Sequence, residues 1–239
     1  MKAIILTFDK NSILTEHMIA CYDELWPDHP FIFRIPYQNS ERCVPSDKRE
    51  YVQTPTDIKV TVLSLLKDLE DEEWIYWCID DKYPIQLTTD HIKPLYESIL
   101  NNDVQDINSI LFCRARKMLD PKNLTDLKIM LGKEQLLERN SYQMIWIHQF
   151  VQVKVLRYMF NRFPDPIPRA KLMDELKDRL IKPAAHKLFV TETNYAIFGE
   201  STIAGLLTEN CLKSLSDKGF ALPKWHLSQT AKNTIIGTI

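Results

Sequence analysis

The chain has 239 residues, 45% of them hydrophobic and 26% charged, with a net charge of −2. That is the composition of a globular protein near the upper size of one domain, without the broad basic field of a nucleic-acid-binding protein. Cys21, Cys43, Cys78, Cys113 and Cys211 are scattered and form no CxxC pair, which argues against a disulfide framework or a zinc site and suits a reducing compartment.

The first predicted element is a strand at residues 2–8, a near-continuous apolar run buried on both faces. It is too short for a signal peptide, and no stretch approaches the roughly 18 apolar residues that span a bilayer. A cytoplasmic protein is expected, at most peripheral to a membrane surface. Residues 12–26 read as a helix, with Ser12 as its cap, Glu16 close behind and Pro27 ending it. A second strand is predicted at 31–35, and the polar stretch 36–55, with Pro45, reads as a loop. Thr56 or Asp57 caps the next helix, in which Ile58, Val62, Leu65, Leu66 and Leu69 form one apolar face. After the acidic turn at 70–73, the aromatic and β-branched residues 74–79 predict a central strand.

A helix at 89–100 and a strand at 107–113 continue the alternation, which predicts an α/β fold with a mostly parallel sheet flanked by helices. In the second half, 143–147 reads as a short strand, and 150–163 as a helix stopped by Pro164. A further helix is predicted at 169–180, strands at 188–190 and 195–198, and a helix at 202–215 ending near Gly219. No internal repeat or low-complexity linker interrupts the chain, so one domain spanning 1–239 is expected.

The most informative feature is the pair Asp80 and Asp81 at the end of the strand at 74–79. Successive side chains of a strand point to opposite faces, so the two carboxylates cooperate only if the chain bends there. Pro84 argues against a continuing central strand. A bend at the carboxyl end of a sheet strand is where α/β folds hold ligands, and a hard divalent ion takes one or two carboxylates plus substrate phosphates. The pair therefore suits a metal-bridged diphosphate. The same residues also read as a solvated turn in which Lys82 neutralises charge.

The run Trp74-Ile75-Tyr76-Trp77-Cys78-Ile79-Asp80-Asp81-Lys82-Tyr83-Pro84-Ile85 resembles the Asp-x-Asp region of GT-A glycosyltransferases, closest to bacterial enzymes of surface polysaccharide assembly. The other pieces follow in matching order over most of the chain. Thr7-Phe8 resembles the end of the first nucleotide-contacting strand, and the helix from Asp57 the one that precedes the acidic strand. Gln143-Met144-Ile145-Trp146 resembles the acceptor-side strand, and Tyr195-Ala196-Ile197-Phe198-Gly199-Glu200 a late strand-turn.

The resemblance implies a nucleotide-diphosphate sugar donor, a glycan or glycolipid acceptor, and Mn²⁺ or Mg²⁺ as cofactor. Residues 1–113 would form the donor half and 114–239 the acceptor half. Thr7, Phe8, Asp57 and Asp80 would contact the donor, and Asp80, Asp81 and the late His226 the metal. The chain has adjacent aspartates in place of a spaced pair, which leaves metal ligand and ribose contact open between Asp80 and Asp81.

The resemblance also draws a base for the acceptor hydroxyl from the region of Asp174 and Glu175, as inversion requires. Lys171, Glu175 and Arg179 stand at i, i+4 spacing and equally read as a solvated helix face. Lys59 is a candidate partner for a phosphate or a solvated flank residue. Trp146 and His148 are candidates for an acceptor groove, because aromatic faces suit sugar C–H surfaces, and Trp146 also reads as core. The competing functions are a nucleotidyltransferase, against which the glycine-free Thr7-Phe8-Asp9-Lys10-Asn11 argues, and a non-catalytic nucleotide-sugar or carbohydrate-binding protein.

Overall fold

The computed structural model describes residues 1–39, 43–115, 120–165, 170–224 and 229–237. Strand β1 is Lys2–Leu6, β2 Ile32–Tyr37, β3 Arg49–Gln53 and β4 Trp74–Ile79; helix α1 is Ser12–Leu25 and α2 Ile58–Leu65. The alternation of a strand explains how β1 and β4 are covered on both sides. Ala3, Ile5, Tyr76 and Cys78 pack into one apolar core with Leu14 and Met18 of α1. Ile4, Leu6, Ile75, Trp77 and Ile79 pack into the other, with Ile58, Val62 and Leu65 of α2 and with Leu66 and Leu69 after it. The run at 74–79 is thus the central strand its composition predicts.

Strand β5 is Lys82–Leu87, α3 Thr89–Leu100, β6 Ser109–Leu111, β7 Leu124–Leu131, β8 Glu134–Arg139 and β9 Gln149–Gln152. Helix α4 is Val153–Arg162, α5 Ala170–Lys177, β10 Leu188–Thr191 and β11 Ala196–Glu200. The large sheet has nine strands in the order β3-β2-β1-β4-β9-β6-β10-β8-β7. Parallel pairing links β3, β2, β1 and β4, and later β6 and β10; within the sheet only β9 and β8 run against the rest. With α1 and α3 packed on one face and α2 and α4 on the other, this is the expected α/β architecture with a mostly parallel sheet and flanking helices.

Four local expectations are corrected. Residues 143–147 form turns, and the strand beside β4 is β9, whose Phe150 pairs with Tyr76. The helix predicted from 150 therefore starts later, at Val153. The stretch 36–55 contains β3, a half-buried edge strand whose charged residues hid it. Pro84 does not continue the central strand, which ends at Ile79 as expected. It lies in β5, an edge strand of a separate sheet ordered β15-β11-β5, where β15 is Ile235–Ile236 and a register shift in β11 accommodates the proline.

The helix predicted from 202 is preceded by two short strands, β12 Thr202–Ile203 and β13 Leu206–Thr208. These turn at Ala204 and Gly205, both at positive φ. Helix α6 then spans Glu209–Asp217, capped by the Thr208 side chain, which accepts from Cys211 N. The remaining short strand, β14, is Thr230–Ala231 and pairs with β13.

Candidate functional site

The carboxyl ends of β1 and β4 lie side by side, with Leu6 opposite Ile79 and Asp80 N donating to Leu6 O at 3.2 Å. Both strands stop there, so the side chains that follow turn off the sheet edge. The Asp80 carboxylate is buried at this point. Its Oδ2 accepts from Thr7 Oγ1 and from Asn11 Nδ2, each at 2.7 Å, and Thr7 shares a further 2.7 Å hydrogen bond with Thr15. Burial, then the charge of Asp81, pushes the Asp80 pKa up to about 6, against the hydrogen bonds from Thr7 and Asn11. Asn11 stands at the cap position of α1 without making a side-chain cap bond, since its amide is turned to Asp80.

Asp81 faces outward, with 38% of its side chain exposed. Lys82 Nζ lies 2.9 Å from Asp81 Oδ1 and 3.1 Å from Glu200 Oε1. Burial pulls the Lys82 pKa down, but the charges of Asp81 and Glu200 outweigh it and hold the ammonium above its ordinary range. The backbone of the turn is pinned from β11: Ser201 N donates to Asp81 O at 2.7 Å.

Two clefts meet at this turn. The first, about 730 Å³, is lined by Phe8, Asn11, Gln38, Asp80 and Asp81 among others. The second, about 500 Å³, is lined by Asp81, Lys82, Trp146, Asp174 and Glu200 among others. Leu6, Ile79 and Asp81 stand in the wall of both, and Asp81 is the charged member of that shared wall. Across the mouth of the first cleft, the Asp9 carboxylate accepts from Gln38 N at 3.0 Å and Asn39 N at 2.6 Å, tying the end of β1 to the end of β2.

The candidates from the sequence divide accordingly. Phe8, Asp80 and Asp81 line the first cleft, with Thr7 buried behind Asp80, and Trp146 and Asp174 line the second. Glu175, one residue along α5, is exposed and lines neither cleft. His148 is a correction. It is fully buried, its Nδ1 is 2.7 Å from the Tyr22 hydroxyl, and its Nε2 is 2.9 Å from Ile79 O. Burial pulls its pKa down to about 3, so it is a neutral strut behind the strand.

Lys59 is a second correction, because its ammonium points away from the clefts to Phe163 O and Asp165 Oδ2, each at 2.8 Å. Asp57 serves α2 as its cap, accepting from Val60 N at 2.9 Å. His226 lies outside the described residues. Sequence reasoning passed over Asn11, Gln38 and Glu200 as site residues. Only the Asp9-Lys10-Asn11 turn directly after a buried strand signalled one of them.

The donors available to a divalent ion are all oxygens, as Mg²⁺ and Mn²⁺ require. Asp80, Asp81 and Glu200 stand with Lys82 at the turn, and burial, then the charge of Asp81, raises the Asp80 pKa. Among the described residues no group of three or more potential ligands converges. The oxygens suit a hard divalent ion in kind and do not form a closed protein cage.

No protein-family model matches the chain, and no curated protein matches it in sequence. Its fold is shared with solved structures. A protein from Bacillus anthracis assigned as a glucose-1-phosphate thymidylyltransferase is 12% identical with a TM-score of 0.50, covering 95% of this chain and 98% of that one. The S. aureus protein TarS is 13% identical with a TM-score of 0.47, covering 82% of this chain and 59% of that one. The galactosyltransferase LgtC, solved with donor and acceptor sugar analogs, is 12% identical with a TM-score of 0.40, covering 77% and 67%. At these identities the likeness is one of fold, and the first match, nearly end to end on both chains, carries it.

Proposed function

We propose that the chain is a glycosyltransferase that holds a nucleotide-diphosphate sugar in the cleft of Phe8, Asn11 and Asp80 and an acceptor hydroxyl in the cleft of Trp146. The observation that carries this reading is the pair of clefts that share Asp81 as the charged residue of their common wall. Transfer needs two substrates to meet with the anomeric carbon at the junction, and proximity of that kind is itself a large part of the catalysis. A Mn²⁺ or Mg²⁺ ion at Asp81 would neutralise charge on the departing diphosphate.

Asp80 orients the donor side through the Thr7 and Asn11 hydrogen bonds that fix its carboxylate. Trp146 offers a partly buried ring to a sugar face. In an inverting reaction a carboxylate of the second cleft takes the acceptor proton; Asp174 and Glu200 both line that cleft, and Glu175 does not. A glycan or a glycolipid both present such a hydroxyl. No helix among the described residues is long and apolar enough to cross a membrane, so a lipid-linked acceptor would be met at the membrane surface.

The test is a panel of nucleotide sugars in Mn²⁺, read first by thermal shift and then by release of the nucleoside diphosphate with and without sugar acceptors. Failure of every nucleotide sugar to bind overturns the reading. A second reading, nucleotidyl transfer to a sugar phosphate, is favoured by the end-to-end fold match with the thymidylyltransferase. Against it, the turn after β1 is a glycine-free 3-10 turn at Asp9–Asn11, whereas a nucleoside triphosphate is usually cradled by a glycine-rich loop. Pyrophosphate release from nucleoside triphosphate and sugar 1-phosphate separates the two.

A further inference from the structure

We propose that Glu200 is the catalytic base of the acceptor cleft and that Lys82 is its positioning residue. The inference rests on the glycosyl-transfer reading and names the group that takes the proton.

Besides Asp81, two carboxylates line the second cleft, Asp174 and Glu200. They are held very differently. Asp174 lies on α5 with 62% of its side chain exposed, and its carboxylate is drawn to Lys177 at 2.6 Å. Glu200 has 25% of its side chain exposed and is 3.1 Å from an ammonium that is itself buried. Glu200 and Lys82 are direct cross-strand partners between β11 and β5, so the ladder fixes their spacing. The preceding residue, Gly199, leaves room for the Tyr83 ring and the Ile85 side chain, whose atoms lie 2.9 Å from where a Cβ would stand and pack beside the ladder. The following residue, Ser201, holds the Asp81 carbonyl at 2.7 Å. Glu200 is thus tied by its own side chain and by both neighbours to the turn where the clefts meet. A base fixed on a strand keeps its geometry better than one on an exposed helix.

In the step, Glu200 removes the proton of the acceptor hydroxyl as its oxygen bonds to the anomeric carbon. The bond from that carbon to the diphosphate breaks, and its electron pair leaves with the nucleoside diphosphate. Lys82 bridges Glu200 to Asp81 and so keeps the base in register with the donor.

The experiment uses the full chain and the nucleotide sugar that binds best in the panel. Donor affinity by calorimetry and transfer rate are measured for wild type, Glu200→Gln, Glu200→Asp, Asp174→Asn, Lys82→Met and Lys82→Arg. Thermal melts of each variant confirm that it folds. Glu200→Gln is expected to bind donor within about threefold of wild type and to transfer roughly 10²–10⁴-fold more slowly. Glu200→Asp should recover part of the rate, and Asp174→Asn should stay within about tenfold. Lys82→Met should lower kcat while leaving the acceptor KM within about threefold, and Lys82→Arg should recover part of the rate. A folded Glu200→Gln that transfers within threefold of wild type overturns the proposal, as does a loss confined to Asp174→Asn. A wild-type chain that binds no nucleotide sugar overturns the transfer reading itself, and the Glu200 role with it.

Discussion

Substituting Asp80 by Asn tests whether the site stores instability. The native carboxyl has a pKa near 6 against an ordinary 3.8, so the folded state binds this proton more tightly than the unfolded chain. The sign follows from linkage. The stability contributed by proton binding is fully present below 3.8 and is lost as the pH rises through about 6, so at neutral pH the ionised, buried group costs the fold. The whole difference is worth about 3 kcal/mol at 1.36 kcal/mol per pKa unit, and about 2 kcal/mol of it falls between about pH 4.5 and about pH 7.5.

Asn keeps an oxygen for the Thr7 and Asn11 donors but cannot ionise, so that part of the pH dependence disappears. Urea unfolding of both proteins, followed by tryptophan fluorescence, is the assay. The variant should gain about 2 kcal/mol relative to wild type on going from the acidic to the neutral condition, or about 4–8 °C in Tm for a chain of this size. Using the difference between the proteins cancels the opposing titration of buried histidines such as His148. A difference that stays constant within about 0.5 kcal/mol across the range refutes the reasoning.

Asp81→Asn should weaken Mn²⁺-dependent donor binding at least tenfold, with a modest fall in the urea midpoint because the buried Lys82 loses one of its two carboxylate partners; calorimetry on the folded variant showing unchanged affinity removes Asp81 from the donor site. Trp146→Ala should raise the acceptor KM about tenfold with little change in donor affinity, and unaltered acceptor kinetics would leave the ring as core packing against Phe160. His148→Leu should destabilise by about 2–4 kcal/mol, because Tyr22 and the Ile79 backbone lose a buried partner. A stable variant with weakened acceptor binding would instead return His148 to the site.

What the sequence made legible was local. The apolar runs at β1 and β4 and the helical spacing of Ile58, Val62 and Leu65 each follow from one segment's own periodicity, and each lies where that periodicity puts it. Asp80 and Asp81 were legible because a strand buried on both faces must end before it can present two carboxylates. The misses needed partners distant in sequence. His148 reads as a groove residue beside Trp146 until Tyr22 and Ile79 close around it, and Lys59 as a phosphate ligand until Asp165 claims it. Glu200 carries no local signal, since its meaning comes from facing Lys82 across a ladder that Pro84 made hard to foresee. The hairpin of β7 and β8 escaped because β7 is the outer, largely exposed strand, with no buried alternation to read.

Several departures from local stability lie together at the ends of β1 and β4. At the cap position of α1, an Asn side chain bonded to the helix would contribute about 1 kcal/mol, yet the Asn11 amide goes to Asp80 and makes no cap bond. The other end of the same amide, Oδ1, is buried without a hydrogen-bond partner among the described residues, an arrangement that typically costs about 1–3 kcal/mol. Asp80 is a buried carboxyl whose ionised form the fold disfavours, beside a second carboxylate that makes matters worse. Thr208 at α6 and Asp57 at α2, by contrast, cap their helices in the ordinary way. A core selected only for stability would have turned Asn11 onto its own helix and filled position 80 with an apolar or neutral side chain. The excess of polar and anionic groups at the ends of β1 and β4 is accounted for if something else completes it, and a divalent cation would supply the opposite charge and a partner for the orphaned Asn11 oxygen.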